Sequence, residues 1–283
     1  MPLSPKATRI LRPIGLLFLF VLLFPFMFKA FEHSQVYHPT FGTESGVTDA
    51  HPDGNDFFLT GKEGQKLHAW YLPGRTNSPN KEYVFLYCHG NGGNLTGRPG
   101  FYRAIMTTGA ALLAFDYRGY GKSEGTPGEQ ETYEDAYAAY DWLIGHGVEP
   151  KHVLVWGESL GGAIACKLAK EKDVGGLILQ STFTSVPDIG AKLFPFLPVR
   201  TLASIHYDTN RRLPDVDCPV VVMHSRVDEI IPWEHGQKNF ATAKEPKQFV
   251  ELQGGHNNAL YASREQYMKG AEAAIELNKQ HVQ

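Results

Sequence analysis

Residues 155–162 read "VWGESLGG", which sets Ser159 between two glycines with a third close behind. By itself a serine flanked by glycines is a turn. The neighbours change that reading: "HVLVW" before it is a short apolar run, and "GAIACKLAKEK" after it has the composition of a helix. A strand that turns at once into a helix puts Ser159 at a sharp corner. There the backbone is strained, and small residues two positions to either side let strand and helix approach without Cβ clashes. The hydroxyl then projects from the strand end, and the following helix points its positive end at it.

Outward from this corner, short apolar runs alternate with helical patterns. "DFFLTG" and "KLHAWYLPG" read as an antiparallel pair. The strands "YVFLYCHG", "GAALLAFDYRG", "HVLVWGES", "GGLILQS", "PVVVMHS" and "KQFVELQGG" follow. Strands apolar along their whole length and separated by helices mean βαβ units, a mostly parallel central sheet with helices on both faces. One such helix is "EQETYEDAYAAYDWLIGHG", with Tyr133, Ala136, Tyr137, Tyr140 and Leu143 at three-to-four spacing and Gly145 and Gly147 as stops. "SREQYMKGAEAAIELNKQ" reads as the closing helix.

The chain has 283 residues with 42% hydrophobic content, which fits one α/β domain with a large core. Its net charge is −3, and residues 1–30 hold Lys6, Arg9, Arg12 and Lys29 without an acid, so the remainder is the more acidic part. That balance argues against a nucleic-acid partner. Cys88, Cys166 and Cys218 sit in apolar runs and lack metal-binding spacing, so neither a disulfide framework nor a metal site is expected. Residues 14–28, "IGLLFLFVLLFPFMF", are apolar on every face after a basic segment, and short of the roughly 20 residues of a comfortable span. A cleavable signal peptide would want small residues at alternate positions after the run, whereas Phe28 and Phe31 precede Ala30 and Ser34 by two residues or three. A retained transmembrane anchor is the reading preferred over a cleaved signal. The expected division is residues 1–32 as cytoplasmic tail and signal-anchor, 33–55 as connector and 56–283 as catalytic domain. Three basic residues before the run against Lys29 after it place the domain on the non-cytoplasmic side.

A serine hydroxyl is a poor nucleophile at neutral pH and needs a base and a group to orient it. Asp228 lies in the loop after "PVVVMHS", and His256 lies after "KQFVELQGG" between two glycines and two asparagines. The chain order Ser159, Asp228, His256 is the one used at successive strand ends in this kind of sheet. Taken together, "HGNGGN", "DYRGYGKSEG", "GESLGG", "SRVDEIIP" and "GGHNN" resemble the α/β-hydrolase-domain family, above all its single-pass, membrane-anchored serine hydrolases. The likeness covers roughly residue 56 to the C-terminus. Members of that branch usually show two adjacent acids where this chain has Val227-Asp228, which leaves Asp228 as the matching acid and Glu229 as the fallback.

The resemblance also implies an oxyanion hole made by the backbone N–H groups of Asn91 and Leu160, the latter next to the nucleophile. His89, beside a glycine turn, reads as a loop strut, and His68, His224 and His235 each have an ordinary structural reading. "DYRGYGKSEG" lacks the ending of a phosphate loop at the required spacing, so Arg118 reads as a tie between loops. The expected fold is thus an α/β-hydrolase with a short cap and an N-terminal transmembrane anchor. The expected activity is cleavage of an acyl ester or thioester, of a lipid or other hydrophobic substrate, with no cofactor. An acyltransferase using the same triad and a non-catalytic binding protein of this fold stay open beside it. Residues 182–207 hold the cap interval, where Phe194, Phe196 and Leu197 are candidates either for an acyl-binding wall or for core.

Overall fold

The structure, a computed structural model, describes residues 5–281; within the first helix the side chains of residues 5–18, 20 and 21 lie outside the description. Helix α1 runs over Pro5–Val36. Eight strands then build one sheet: β1 Asn55–Thr60, β2 Lys66–Leu72, β3 Val84–Cys88, β4 Ala111–Phe115, β5 Val153–Glu158, β6 Gly176–Gln180, β7 Val220–Ser225 and β8 Lys247–Leu252. Their spatial order is β8-β7-β6-β5-β3-β4-β2-β1. β1 and β2 pair antiparallel, as do β2 and β4, and every other pair is parallel. All the strands read from the sequence are present.

Alternation explains why the central strands are apolar throughout. In β3, Val84, Leu86 and Cys88 point into one core while Phe85 and Tyr87 point into the other; in β5, Val153 and Val155 oppose Leu154 and Trp156. Helices α3 Glu129–Gly145 and α4 Leu160–Glu171 cover the first face. Helices α2 Pro99–Ile105 and α7 Arg264–His281 cover the second. Helices α5 Val186–Leu193 and α6 Trp233–Thr242 follow β6 and β7. Only the edge strands β1 and β8 show exposed positions at intervals.

The strand order reverses at β3, which lies between β4 and β5, and a crevice opens there at the C-terminal strand ends. Cys88 pairs with Gly157, so the loops leaving β3 and β5 emerge side by side. The corner after β5 is as tight as its glycines imply. A Cβ at Gly157 would overlap the backbone of Gly161 and Gly162, and one at Gly161 would overlap the Cys88 carbonyl.

The segment read as a connector is built into the domain. Val36 and Tyr37 belong to the first core, and Tyr37 and Tyr207 hydroxyls lie 3.0 Å apart. His38–Pro39 pairs with Gly92–Gly93, and Val47–Ala50 forms a helical turn. Glu32 is buried and accepts hydrogen bonds from the Ser204 and Ile205 N–H groups at 2.9 and 3.1 Å. A sequence without periodicity conceals this docking because each contact is a single polar or aromatic pair with a distant loop. Among the described residues no helix is long and apolar enough to cross a membrane. Of the expected anchor at residues 14–28, the side chains of 14–18, 20 and 21 lie outside the described residues, while Leu19, Leu22, Leu23, Phe26 and Met27 are exposed.

Gly161→Ala tests the corner. Added bulk between two backbone segments forces β3 and α4 apart, and the expected loss is about 2–3 kcal/mol. Denaturant unfolding of the purified protein measures it, and an unchanged midpoint would show that the contact relaxes freely.

Candidate active site

Ser159 stands at the corner with φ 52° and ψ −116°, a left-handed conformation for a residue with a Cβ. Its N–H donates to the Gln180 carbonyl at 2.9 Å, and its carbonyl accepts from the Thr182 hydroxyl at 2.7 Å, so β6 holds the strained residue in place. The side chain is nearly buried and lies 3.1 Å from His256 Nε2. On its other side His256 Nδ1 is 2.8 Å from Asp228 Oδ2. Because a carboxylate only accepts, Nδ1 carries the proton and Nε2 is the acceptor facing the serine. Asp228 is fixed in turn by the N–H groups of Ile230 and Ile231, which donate to Oδ1 at 3.0 and 2.7 Å.

Glu229, the alternative acid, does something else: its carboxylate accepts the backbone N–H of His256 at 3.0 Å and so fixes the histidine loop. His224, on β7, donates from Nε2 to the Ile231 carbonyl at 2.8 Å and sits 3.7 Å from Asp228. Burial, the largest influence, lowers its pKa against the pull of that carboxylate, so it braces the acid loop as a neutral ring. His68 lies 2.9 Å from Asp56, and His235 accepts from Thr184. His89 donates to the Gly90 carbonyl and faces Asp116, a strut within its loop. Arg118 makes a two-pronged pair with Asp135, tying the loop after β4 to α3.

Charges around the base have opposing effects. Burial disfavours the charged form of His256, but the hydrogen bond and charge of Asp228, with Glu158 and Glu229 nearby, outweigh it and raise its pKa above the ordinary histidine value. Burial likewise pushes Asp228 up, and His256 and the Ile231 N–H bring it below its ordinary value. Asp228 stays ionised through the range in which His256 titrates.

The loop leaving β3 stands against the serine: a Cβ on Gly90 would lie 3.5 Å from that of Ser159. Asn91, next in that loop, and Leu160, the first residue of α4, have N–H groups that donate to no acceptor among the described residues. The Asn91 carbonyl is bound from behind by the His38 N–H and the Tyr120 hydroxyl. Sequence reasoning missed what joins this loop to the corner. Arg98 donates to Glu158 at 2.7 Å and to the Gly92 carbonyl at 3.0 Å, and the Tyr87 hydroxyl also binds Glu158. Glu158 was legible as a polar residue beside the serine, but nothing in the linear pattern points to a partner in a turn sixty positions earlier.

The cap departs from expectation. Phe196 is 98% exposed and Leu197 is exposed, while Phe194 packs edge-on against Phe31 of α1 at 5.6 Å. None of the three lines the cavity nearest the site, the one beside Asp228. This cavity of about 300 Å³ is lined by Ile189, Leu193, Ile230 and Trp233 on one part and by the charged Lys192, Arg226, Glu229 and Glu234 on the rest, and it includes neither Ser159 nor His256. A larger hollow of about 730 Å³, lined by Phe58 and Trp142, lies beside edge strand β1 and shares no residue with Ser159, Asp228 or His256.

A parallel sheet with this strand order and a serine at the β5–α4 corner defines the α/β-hydrolase fold. The family model "Serine aminopeptidase, S33" matches residues 79–207. An uncharacterized protein of Mycobacterium tuberculosis is 36% identical over 225 residues, 79% of this chain and 79% of that protein. The lysophosphatidylserine lipase ABHD12 of Danio rerio is 30% identical over 237 residues, 76% of this chain and 59% of the lipase. An esterase of Pyrococcus furiosus superposes with a TM-score of 0.69 over 85% of this chain and 97% of its own, at 18% identity, a likeness of fold alone. The chain belongs to the α/β-hydrolase family.

Two outcomes follow if the pairing seen here governs activity. Asp228→Asn reduces ester turnover by orders of magnitude, whereas Glu229→Gln, whose amide oxygen still accepts the His256 N–H, is milder; steady-state kinetics rank them. Activity needs neutral His256, so kcat/KM rises with pH through the free enzyme's histidine pKa, above its ordinary value of about 6.5. Glu158→Gln removes a charge that raises this pKa and leaves Arg98⁺ unopposed, so the acid limb moves to lower pH. A limb that stays put would remove Glu158 from the electrostatics of the base.

Proposed function

We propose that the chain is a serine hydrolase that cleaves acyl esters or thioesters of lipid or otherwise hydrophobic substrates through an acyl-enzyme. The observation that carries this reading is the continuous relay from Asp228 through His256 to Ser159, beside two N–H groups without acceptors. Ser159 Oγ attacks the acyl carbon while its proton passes to His256 Nε2, and the carbonyl oxygen becomes an oxyanion held by the Asn91 and Leu160 N–H groups. Collapse breaks the bond to the leaving oxygen or sulfur, and His256 returns the proton to it. Water then attacks the acyl-serine by the same route and releases the acid and free Ser159. Asp228 stabilises the imidazolium formed in each half.

The printed names of relatives, a lipase and an esterase, support an ester. The family model's description names an aminopeptidase, which would have to bind a free ammonium group. Within a cavity that also carries charged side chains, the apolar side chains of Ile189, Leu193, Ile230 and Trp233 support a hydrophobic acyl group. We also propose that residues 14–28 anchor the chain, with the domain on the non-cytoplasmic side; the apolar run and the excess of basic residues before it support this.

Ser159→Ala is expected to abolish covalent labelling by a fluorophosphonate and to lower ester turnover by several orders of magnitude, and ordinary turnover in that folded variant would end the mechanism. Ile230→Ala and Leu193→Ala shift preference toward shorter acyl chains by several-fold, since each buried methylene is worth about 0.8 kcal/mol. A panel of nitrophenyl esters of rising chain length reads this directly. For topology, protease added to the non-cytoplasmic face of sealed vesicles digests the domain, and complete protection there contradicts the orientation.

A further inference from the structure

We infer that the tip of the cap, residues 193–197, is a membrane-docking surface that rests on the same lipid face that helix α1 enters; this stands on the anchor reading above. Phe196 is 98% exposed, and Leu193, Pro195 and Leu197 are exposed beside it. A soluble surface rarely holds so many apolar side chains in one short stretch. Pro195 and Pro198 restrict the tip's backbone, so the exposed residues are presented by a stiff turn.

The neighbouring surface identifies what covers the tip. Phe194, the one half-buried member of the turn, stacks edge-on with Phe31, and Phe31 lies 6.5 Å from Phe28, inside the apolar run of α1. Glu32, one residue further along α1, takes the N–H groups of Ser204 and Ile205 and the Ser204 hydroxyl. His33 bonds the Pro127 carbonyl at 2.8 Å. The end of α1 and the cap are therefore fastened together. At a rise of 1.5 Å per residue, Phe28 is only about 6 Å along the axis from Glu32. A bilayer that receives the apolar run up to Phe28 must meet the cap tip at its surface.

Charge agrees with a lipid face. No Asp or Glu occurs before Glu32 or within residues 189–207. Lys29 and Lys192 are exposed without an acidic partner among the described residues, and Arg200 pairs with Asp188 at 3.0 Å. Exposed lysines around an apolar turn suit anionic headgroups over the apolar interior. A second copy of the chain would have to cover both the tip and the helix, whereas a bilayer covers both at once. Leu193 belongs to the tip and also to the cavity beside Asp228, so docking brings that cavity to the lipid.

The test uses the full chain in vesicles of phosphatidylcholine mixed with phosphatidylglycerol. Phe196→Cys is labelled with a polarity-sensitive fluorophore, and the native Cys88, Cys166 and Cys218 are buried and give little background. Asp141→Cys, in the hollow beside edge strand β1, is the control. The expected result is a blue shift of the probe at 196 and loss of its emission to a quencher carried on lipid chains, with neither change at 141. If the protein floats with the vesicles while the probe at 196 keeps its emission in water, docking is wrong and the anchor stands. Failure to float, with no quenching, overturns both. A blue shift that lipid-borne quencher does not touch means the tip is covered by protein, which also overturns the proposal.

Discussion

The contact on which the site depends is between backbones: α4 approaches β3 and β5 so closely at Gly157 and Gly161 that no side-chain carbon fits. That approach forces the chain to reverse within one residue, and Ser159 takes the strained geometry. The strain is tolerated because Gln180 and Thr182 grip the residue's own N–H and carbonyl. The pairing of Cys88 with Gly157 then delivers Gly90 and Asn91 to the same point, and the helix start supplies Leu160. One steric constraint places Ser159 and the N–H groups of Asn91 and Leu160, so these parts cannot drift independently.

Three carboxylates surround His256, and each has a different task because each has a different partner. Asp228 is held by two backbone N–H groups and meets the ring directly. Glu229 points at the histidine's backbone and sets the loop rather than the ring. Glu158 is bound to Arg98 and Tyr87, and acts on the ring only through space. Arg98 also holds the Gly92 carbonyl, so the ion pair near His256 anchors the loop that carries Asn91 as well. A half-buried pair of this kind gains little stability in itself; its value lies in joining two loops in a fixed geometry.

The sheet and the strand-end positions of Ser159, Asp228 and His256 were legible because both are written locally. Strands buried on two faces must be apolar at every position, and Asp228 and His256 stand in the loops that follow strand ends. The Arg98–Glu158 pair was not legible, since it depends on how two loops fold over each other and leaves no periodic trace. Residues 33–55 looked like a connector for the same reason: Tyr37, His38 and Pro39 find their partners at Tyr207, Asn91 and Gly92–Gly93, far along the chain. The cap misled in another way. Apolar composition shows that Phe194, Phe196 and Leu197 leave water favourably, but not which surface receives them, and here Phe194 turns to α1 while Phe196 faces outward.

That division of the cap follows from its small size. With only Val186–Leu193 and Val199–Leu202 as helices within residues 183–207, the cap is too short to form a lid with a core of its own. It is stabilised by borrowing: Glu32 satisfies the orphan N–H groups where Val199–Leu202 ends, and Phe31 supplies the ring that Phe194 packs on. The N-terminal helix does for this cap what an inserted subdomain does for a larger one. Cutting the chain before residue 33 would therefore expose Phe194 and leave the Ser204 and Ile205 N–H groups without their carboxylate acceptor, so the boundary of the folded unit lies inside α1 rather than after it.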